Sequence, residues 1–159
     1  MAEQSGTTPP PHGYNTVNPY LTVHDVPALI EFVQKTFGAV LVRQVHHPSG
    51  HIGHTEVRIG ESLLMIGAPQ VDALIRAYEE VRPGTFYVYV PDVDRAYHLA
   101  MQCGASSWEA PTDMFYGDRV AAVVDTNGNV WWLASRTETL THEQVQARAT
   151  ERWRHGSSV

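Results

Sequence analysis

The sequence predicts an α+β fold in which two tandem βαβββ units form a curved mixed sheet around a cavity, with a C-terminal helix after them. The first observation is an internal repeat: residues 20–39 and 87–105 each run from a tyrosine through an alternating strand, Asp-Val and an amphipathic helix to Gly-Ala. The second is that three short strands follow each helix. The third is that these elements keep the same order in both halves, which favours a duplicated supersecondary unit.

Each predicted helix carries its own start and stop signals. Asp25 and Asp92 stand at N-cap positions, where a side-chain oxygen accepts a hydrogen bond from an otherwise unpaired amide. Gly38 and Gly104 stand at the C-terminal ends, the usual place for glycine. Apolar residues recur between these signals at helical spacing: Ile30, Val33 and Phe37 in the first helix, and Ala96, Leu99 and Ala100 in the second.

The repeat divides the chain into one domain and two flanks. We expect a disordered or surface-lying tail over 1–17, the domain over 18–136 with its units at 18–67 and 85–136, and a C-terminal helix and tail over 137–159. The connecting segment 68–84 is expected to hold a helical turn or to be mobile. In the last segment Thr141 and Gln144 match a capping box. Val145, Ala149 and Trp153 then share a helical face that docks on the body or on a second subunit.

Composition excludes several classes of protein. The formal net charge of -6 argues against a nucleic-acid partner, which needs a basic surface. No apolar run is long enough to span a bilayer, and the polar N-terminal stretch does not match a secretion signal. The single cysteine, Cys103, fits a reducing compartment and is interpreted as a small core residue. We therefore expect a cytoplasmic protein with no nucleic-acid or membrane partner.

The two adjacent tryptophans must point to opposite sides of their strand. They follow a turn in "DTNGNVWWLA", and successive strand residues alternate between faces. Trp131 is expected to pack against the helices with Leu133, and Trp132 to lie on the cavity face with Val130 and Ala134. The alternative is that Trp132 merely fills the interior and the cavity is closed.

The same alternation places several polar-tipped side chains on the cavity face. In the first unit these are Asn18, Tyr20 and Thr22, and in the second Thr85, Tyr87 and Tyr89. Tyrosine and tryptophan bury much apolar area and still offer a hydrogen-bonding group. Such a lining suits an aromatic or amphipathic organic ligand.

The strand "HTEVRIG" has charged residues on one face. His54, Glu56 and Arg58 alternate with Thr55 and Val57. In a cavity, His54 and Glu56 can act as a general base with an orienting carboxylate. Two residues apart on a strand is roughly 6.5 Å, near enough to couple but too far for a sure hydrogen bond. The alternative interpretation is a solvated strand face.

Two further groups of polar residues are candidates. In "YGDR", Tyr116 can close the cavity mouth, and Arg119 suits an anionic ligand group through a two-pronged contact, with structural ion pairing through Asp118 or Arg119 as the alternative. In "HHPSGHIGH", four histidines surround a predicted turn: His46, His47, His51 and His54. We interpret this cluster as a solvated hairpin, with metal binding as the alternative.

The ordered motifs resemble those of the vicinal oxygen chelate superfamily, which includes glyoxalase I, extradiol dioxygenases and bleomycin-binding proteins. The motifs are "NPYLTVHDV…FGA", "HTEVRIGESLLMIG", "YVYVPDVDRAYHLAMQCGA" and "MFYGDRVAAVVDTNGNVWWLA". Their order looks most like the PhnB-like branch. The resemblance covers roughly residues 18–136 and implies the paired βαβββ fold and a homodimer.

The resemblance also locates the positions that hold a metal in other members of the family. On this chain they fall on Asn18, Met65, Thr85 and Trp132. Divalent ions in such sites need imidazole and carboxylate ligands, which none of these residues supplies. We therefore expect no cofactor and no metal at these positions, with a divalent metal elsewhere as the minor alternative.

Three functions are consistent with these residues. The first is a metal-independent small-molecule binding protein of the glyoxalase/bleomycin-resistance type. Its ligand-binding residues are expected to be Tyr20, Met65, Tyr87, Tyr89, Tyr116, Arg119 and Trp132. The second is a metal-free or atypical-metal enzyme of lyase or isomerase type, in which His54 and Glu56 transfer a proton on a carbonyl compound. The third recruits a metal through His54, Glu56 and nearby histidines.

Overall fold

The computed structural model describes residues 9–69 and 80–156 and contains the predicted repeat. The first unit comprises β1 (Tyr20–Thr22), α1 (Val26–Phe37), β2 (Val40–His46), β3 (Ile52–Ile59) and β4 (Ser62–Gly67). The second comprises β5 (Thr85–Tyr89), α2 (Val93–Gln102), β6 (Ser106–Asp113), β7 (Asp118–Val124) and β8 (Val130–Arg136), and α3 (His142–Arg154) follows. The α+β class, the two βαβββ units and the C-terminal helix are confirmed. Most of the connecting segment 68–84 and the first eight residues of the predicted tail lie outside the described residues.

Each unit forms its own four-stranded mixed sheet. The strand orders are β1-β4-β3-β2 and β5-β8-β7-β6. In each sheet the first and last strands of the unit pair in parallel, and the other pairs are antiparallel. This arrangement places the first strand of each unit at a sheet edge, beside the last strand of the same unit.

The helices begin and end where the sequence predicts. The Asp25 carboxylate accepts a hydrogen bond from the Ala28 amide at 2.9 Å, and Gly38 ends α1 with a φ of 67°. The Asp92 carboxylate accepts from the Arg95 amide at 3.0 Å. In α2 the C-cap is Cys103, one residue before the predicted glycine. Local capping chemistry thus fixes the helix boundaries to within one residue.

Trp131 fills the core between the two units. It is almost fully buried, and its indole contacts the rings of Phe32, Phe37 and Phe86 at centroid distances of 5.6, 5.3 and 4.5 Å. The predicted assignment of Trp131 to the helix-packing layer is therefore confirmed. Because Phe32 and Phe37 belong to α1, this side chain ties the second sheet to the first unit.

The C-terminal helix docks through a small part of its surface. The predicted capping box of Thr141 and Gln144 is present. Ala149 is buried, and Arg148 donates to the Phe115 carbonyl at 3.2 Å. Trp153, which the sequence places on the same face, is largely exposed. Among the described residues, no helix combines the length and apolar character that crossing a membrane requires.

Candidate functional site

The pairing of strands defines which side chains share the face opposite the core. Tyr20, Met65, Glu56 and Arg43 are successive cross-strand partners across β1, β4, β3 and β2. In the second sheet the corresponding row is Tyr87, Trp132 and Ala122. Tyr87 is therefore equivalent to Tyr20, and Trp132 is equivalent to Met65. Because side chains alternate along strands, these rows mark one face of each sheet, which we call the open face.

His54 and Glu56 are joined by a hydrogen bond on the open face of the first sheet. The His54 Nε2 lies 3.1 Å from the Glu56 Oε1. Only 8% of His54 and 3% of Glu56 is exposed, so the alternative of a solvated strand face is wrong. The two side chains lean toward each other and close the roughly 6.5 Å that separates such positions along a strand. The structure therefore brings both predicted catalytic residues together.

Three further side chains complete this group. The Tyr14 hydroxyl donates to the Glu56 Oε2 at 2.6 Å, and the Arg43 Nε lies 3.9 Å from the same oxygen. On the other side, the Tyr20 hydroxyl lies 3.5 Å from the His54 Nδ1, and the two rings are stacked. A continuous path of polar contacts thus runs from Tyr14 through Glu56 and His54 to Tyr20.

These contacts set the charge state of Glu56. Burial raises the pKa of this carboxyl, but the hydrogen bonds from Tyr14 and His54 and the charge of Arg43 lower it more, so its pKa lies below the ordinary value. The same hydrogen bond raises the pKa of the Tyr14 phenol. Glu56 is therefore an ionised acceptor, and Tyr14 is a neutral donor.

Sequence reasoning missed Tyr14 and Arg43. Tyr14 lies in the segment predicted as a tail, outside the repeat, and no local pattern marks it as a partner of Glu56. The segment is held on the sheet a second time, because Arg58 donates to the Gly13 carbonyl at 2.9 Å. For Arg43 the available signal was its place in the strand that pairs with "HTEVRIG".

The open face of the second sheet carries an aromatic group around a buried acid. Tyr87 and Tyr89 are 46% and 59% exposed, and their rings meet edge to face at 5.6 Å. Their hydroxyls approach the Asp118 Oδ2 at 3.4 and 3.1 Å. Burial and a hydrogen bond with Tyr116 raise the pKa of Tyr87. Half-buried Trp132 lies beside Tyr87, on the face that strand alternation predicts.

Arg119 is the predicted ligand-binding residue of the second sheet that the structure does not bring to this group. Its Nε and Nη2 donate to both carboxylate oxygens of Asp94 at 2.7 and 2.8 Å, and its Nη1 donates to Asp113 at 3.1 Å. It alternates with Asp118 along β7 and therefore points to the helix side of the sheet. The structural ion pairing named as the alternative is what the structure contains.

The residues at the four inferred metal positions do not fit a divalent ion. The Asn18 amide is occupied, because its oxygen accepts from the Asn15 amide and its nitrogen donates to the Asn15 carbonyl. Met65, Thr85 and Trp132 offer no imidazole or carboxylate. Within residues 9–69 and 80–156, no group of three or more histidine, cysteine, aspartate or glutamate side chains is placed to hold a metal.

The other histidines of the predicted cluster, His46, His47 and His51, lie at the hairpin between β2 and β3. The rings of His47 and His51 stack at a centroid distance of 4.4 Å, and the Nδ1 of each lies against the Ser49 hydroxyl. His54 is engaged separately with Glu56. In the part of the chain that the structure describes, the histidine and acid set needed by the third function is not assembled.

Comparison with known proteins shows which family the sequence matches. Residues 13–133 match the model of the glyoxalase/bleomycin resistance protein/dioxygenase superfamily. An uncharacterized protein of Mycobacterium tuberculosis is 29% identical over 150 residues, covering 91% of this chain and 88% of that protein. An uncharacterized protein of Mycobacterium bovis is also 29% identical, over 82% of this chain and 90% of its own length.

Solved structures share the fold at low sequence identity. TioX from Micromonospora sp. ML1 superposes with a TM-score of 0.60 and 21% identity, covering 80% of this chain and 100% of that one. An Arabidopsis thaliana gene product, At5g48480, has a TM-score of 0.59 and 23% identity, with coverage of 76% and 98%. A glyoxalase-related enzyme from Fulvimarina pelagi has a TM-score of 0.59 and 18% identity, with coverage of 77% and 88%.

Proposed function

We propose that this chain, which belongs to the glyoxalase/bleomycin resistance protein/dioxygenase superfamily, is a metal-independent small-molecule binding protein. Its ligand is aromatic or amphipathic and lies on the open faces. The observation that carries this proposal is the exposure of Tyr87 and Tyr89 beside the half-buried Trp132. Large aromatic surface with polar tips, left open on a folded chain, is typical of ligand sites.

The rest of the proposed lining comes from three other side chains. Tyr116 adjoins Tyr87, and Tyr20 and Met65 occupy the equivalent row of the first sheet. Metal independence is supported by the donor set at the family's metal positions, where the Asn18 amide is already engaged with Asn15. Metal analysis of untagged protein, purified without chelator or a metal column, tests this part. One ion per chain that survives dialysis would reject it.

Replacing Trp132 by alanine is expected to weaken ligand binding at least about tenfold, because it removes an aromatic surface next to Tyr87. The probe is N-phenylnaphthylamine, an uncharged aromatic compound whose fluorescence rises on binding. Trp108→Ala is the matched control, since Trp108 is exposed on β6, the edge strand of the same sheet. Equal binding to the wild type and both variants would show that Trp132 does not contact the ligand.

The resemblance and the composition also suggest a location, an oligomeric state, a branch of the family and the absence of certain partners. We propose a cytoplasmic homodimer of the PhnB-like branch, without a nucleic-acid or membrane partner. Dimerisation is supported by the apolar edge strand β2, on which Val40, Leu41, Val42 and Val45 are exposed. Sedimentation equilibrium tests it, and a monomer at micromolar concentration would reject it.

A second candidate function is an enzyme of lyase or isomerase type, and the 3.1 Å contact between His54 and Glu56 favours it. The Glu56 carboxylate orients the imidazole through Nε2, which leaves Nδ1 beside the Tyr20 hydroxyl to accept a proton. Nδ1 would take the proton from a carbon next to a carbonyl, while the C–H electron pair moves to form the enolate. Return of the proton to the opposite face of the same carbon completes an isomerisation, in which the configuration of that carbon is inverted.

His54→Ala is expected to abolish proton transfer and to leave ligand binding nearly intact. General-base catalysis contributes about 100- to 10,000-fold to the reaction rate, so no catalysed proton transfer should be detectable in the variant. The measurement is exchange of the methylene protons of phenylacetone in deuterium oxide, followed by NMR. His98→Ala, on the exposed side of α2, is the control. Wild-type exchange no faster than in buffer would reject enzymatic action on this class of ketone.

A further inference from the structure

Arg136 ends β8 on the open face of the second sheet. It is the cross-strand partner of Asp118, and its Nε lies 3.4 Å from the Asp118 Oδ1. Its side chain is 57% exposed, whereas Asp118 is 2% exposed. Arg136 therefore stands above a buried carboxylate, at the edge of the surface that Tyr89 forms.

The carboxylate beneath Arg136 is fixed from the other side. The Asp118 Oδ2 approaches the hydroxyls of Tyr87 and Tyr89, as described above. The Oδ1 has almost no accessible surface and no hydrogen-bond partner among the described residues, so Arg136 is the cation it faces. A buried acid held by two tyrosines thus anchors one side of an exposed guanidinium.

This arrangement selects an anion over a cation. A guanidinium has five donors in a planar fork. Asp118 lies against the Nε edge at 3.4 Å, the Tyr89 hydroxyl also neighbours the guanidinium, and the Arg136 side chain is 57% exposed. A ligand cation cannot reach the enclosed Asp118 Oδ1, whereas a ligand anion can reach the exposed end of Arg136.

The first unit contains a similar group, which argues against an accidental contact. Glu56 is buried on the open face, accepts a hydrogen bond from Tyr14, and has the exposed Arg43 at 3.9 Å. Each unit therefore places an exposed arginine above a buried, tyrosine-bonded acid. The shorter arginine contact, beside the more exposed tyrosines, is in the second unit.

We propose that Arg136 recognises an anionic group of the ligand, a carboxylate, sulfonate or phosphate, while Tyr87 and Tyr89 contact its apolar part. This inference rests on the proposed ligand-binding function and assigns the ligand class as an aromatic or amphipathic anion. Asp118 is the positioning residue, which holds the guanidinium in place. Arg136, on the opposite face of the sheet, thus takes the anion-binding role that the sequence predicted for Arg119.

The test compares two fluorescent probes that differ in one anionic group. Anilinonaphthalene sulfonate carries a sulfonate on the framework of N-phenylnaphthylamine, so their affinity ratio isolates the anion. We expect Arg136→Gln to weaken sulfonate binding about tenfold and to leave the uncharged probe unchanged, since a charge-assisted contact at a half-exposed site has about that effect. Arg136→Lys, which keeps the charge but not the planar fork, is expected to lose part of the preference.

Two other arginine variants sharpen the result. Arg95→Gln, on the exposed surface of α2, controls for general charge and is expected to bind the sulfonate as the wild type does. Arg119→Gln tests the sequence-based assignment directly. A loss of sulfonate binding in Arg119→Gln, with none in Arg136→Gln, would overturn the inference.

The remaining outcomes separate this inference from the proposed function. Displacement of the sulfonate by phenylpropionate, benzenesulfonate or phenyl phosphate identifies which anion the site prefers. If the uncharged probe binds in a Trp132-dependent manner and equals the sulfonate in affinity, the anion site is rejected and the binding function stands. If neither probe binds, the anion site and the proposed function are both rejected.

Discussion

The Asp125→Ala variant is expected to lose about 3–4 kcal/mol of its free energy of unfolding. The buried Asp125 carboxylate accepts four hydrogen bonds: from the amides of Asn127 and Asn129 at 2.8 and 3.0 Å, the Asn129 side chain at 2.9 Å and the Trp131 indole at 2.8 Å. Alanine would leave these donors unpaired, most of them away from water. Urea unfolding measures the loss as a fall in midpoint at constant slope.

The cause of this effect is that the turn joins the two units. The Asn127 side chain exchanges two hydrogen bonds of 2.9 Å with the backbone of Asp25, the residue that caps α1. Asn129 accepts from the Gly84 amide at 2.9 Å. Loss of Asp125 therefore releases the turn, the docked helix cap and the indole that fills the core.

One variant in the same turn and one at the start of β8 serve as controls. Thr126→Ala, at an exposed position, is expected to change stability by less than about 0.5 kcal/mol. Trp131→Phe removes a single hydrogen bond and part of the ring, so its loss should fall between the two. A loss below about 1 kcal/mol in Asp125→Ala would show that the four hydrogen bonds are replaced by water.

The sequence predicted the features that depend on neighbours along the chain. Helix caps at Asp25 and Asp92 and the opposite orientations of Trp131 and Trp132 follow from local rules of capping and alternation. The repeat then predicted the order of helices and strands along the chain. Since each of these signals lies within a few residues, one sequence was sufficient to predict the fold.

The candidate site was less predictable because its contacts join distant segments. Tyr14 reaches Glu56 across 42 positions, from a segment with no periodicity. Arg119 had the right chemistry for an anion, but its acids come from α2 and β6. The sequence analysis did not identify Arg136, because its position depends on Asp118, its cross-strand partner on the neighbouring strand β7. The charge and type of a residue in the sequence do not reveal which other residue lies nearest to it in space.

Glu56→Ala is expected to lower the free energy of unfolding by about 2–3 kcal/mol and to remove any activity that depends on His54. The reason is that the Tyr14 hydroxyl and the His54 Nε2 both lose a buried acceptor, at 2.6 and 3.1 Å, and the imidazole loses its orientation. Urea unfolding measures the first effect. Glu56→Gln, which keeps the shape and removes the charge, is the matched control and should lose less stability.

The charge on Glu56 makes its contribution depend on pH. In the folded chain, burial raises the pKa of this carboxyl, but hydrogen bonds from Tyr14 and His54 and the charge of Arg43 bring it below the ordinary value of 4.5. The unfolded chain therefore binds more protons at pH values between the two pKa values. The stabilisation is complete above the ordinary value and is lost as the pH falls through the folded one. The difference in stability between the wild type and Glu56→Gln should shrink as the pH falls from above 4.5 through the folded pKa.

Tyr14→Phe shows whether the N-terminal segment is responsible for this behaviour. It removes the largest of the contacts that lower the pKa of Glu56, so the folded pKa moves toward the ordinary value and the acid loss of stability should be smaller than in the wild type. A constant difference between the wild type and Glu56→Gln over this range would mean that Glu56 is not held ionised by its neighbours. The contacts from Tyr14 and His54 would then not stabilise the carboxylate, and the enzymatic candidate would lose this support while the aromatic ligand site stayed unaffected.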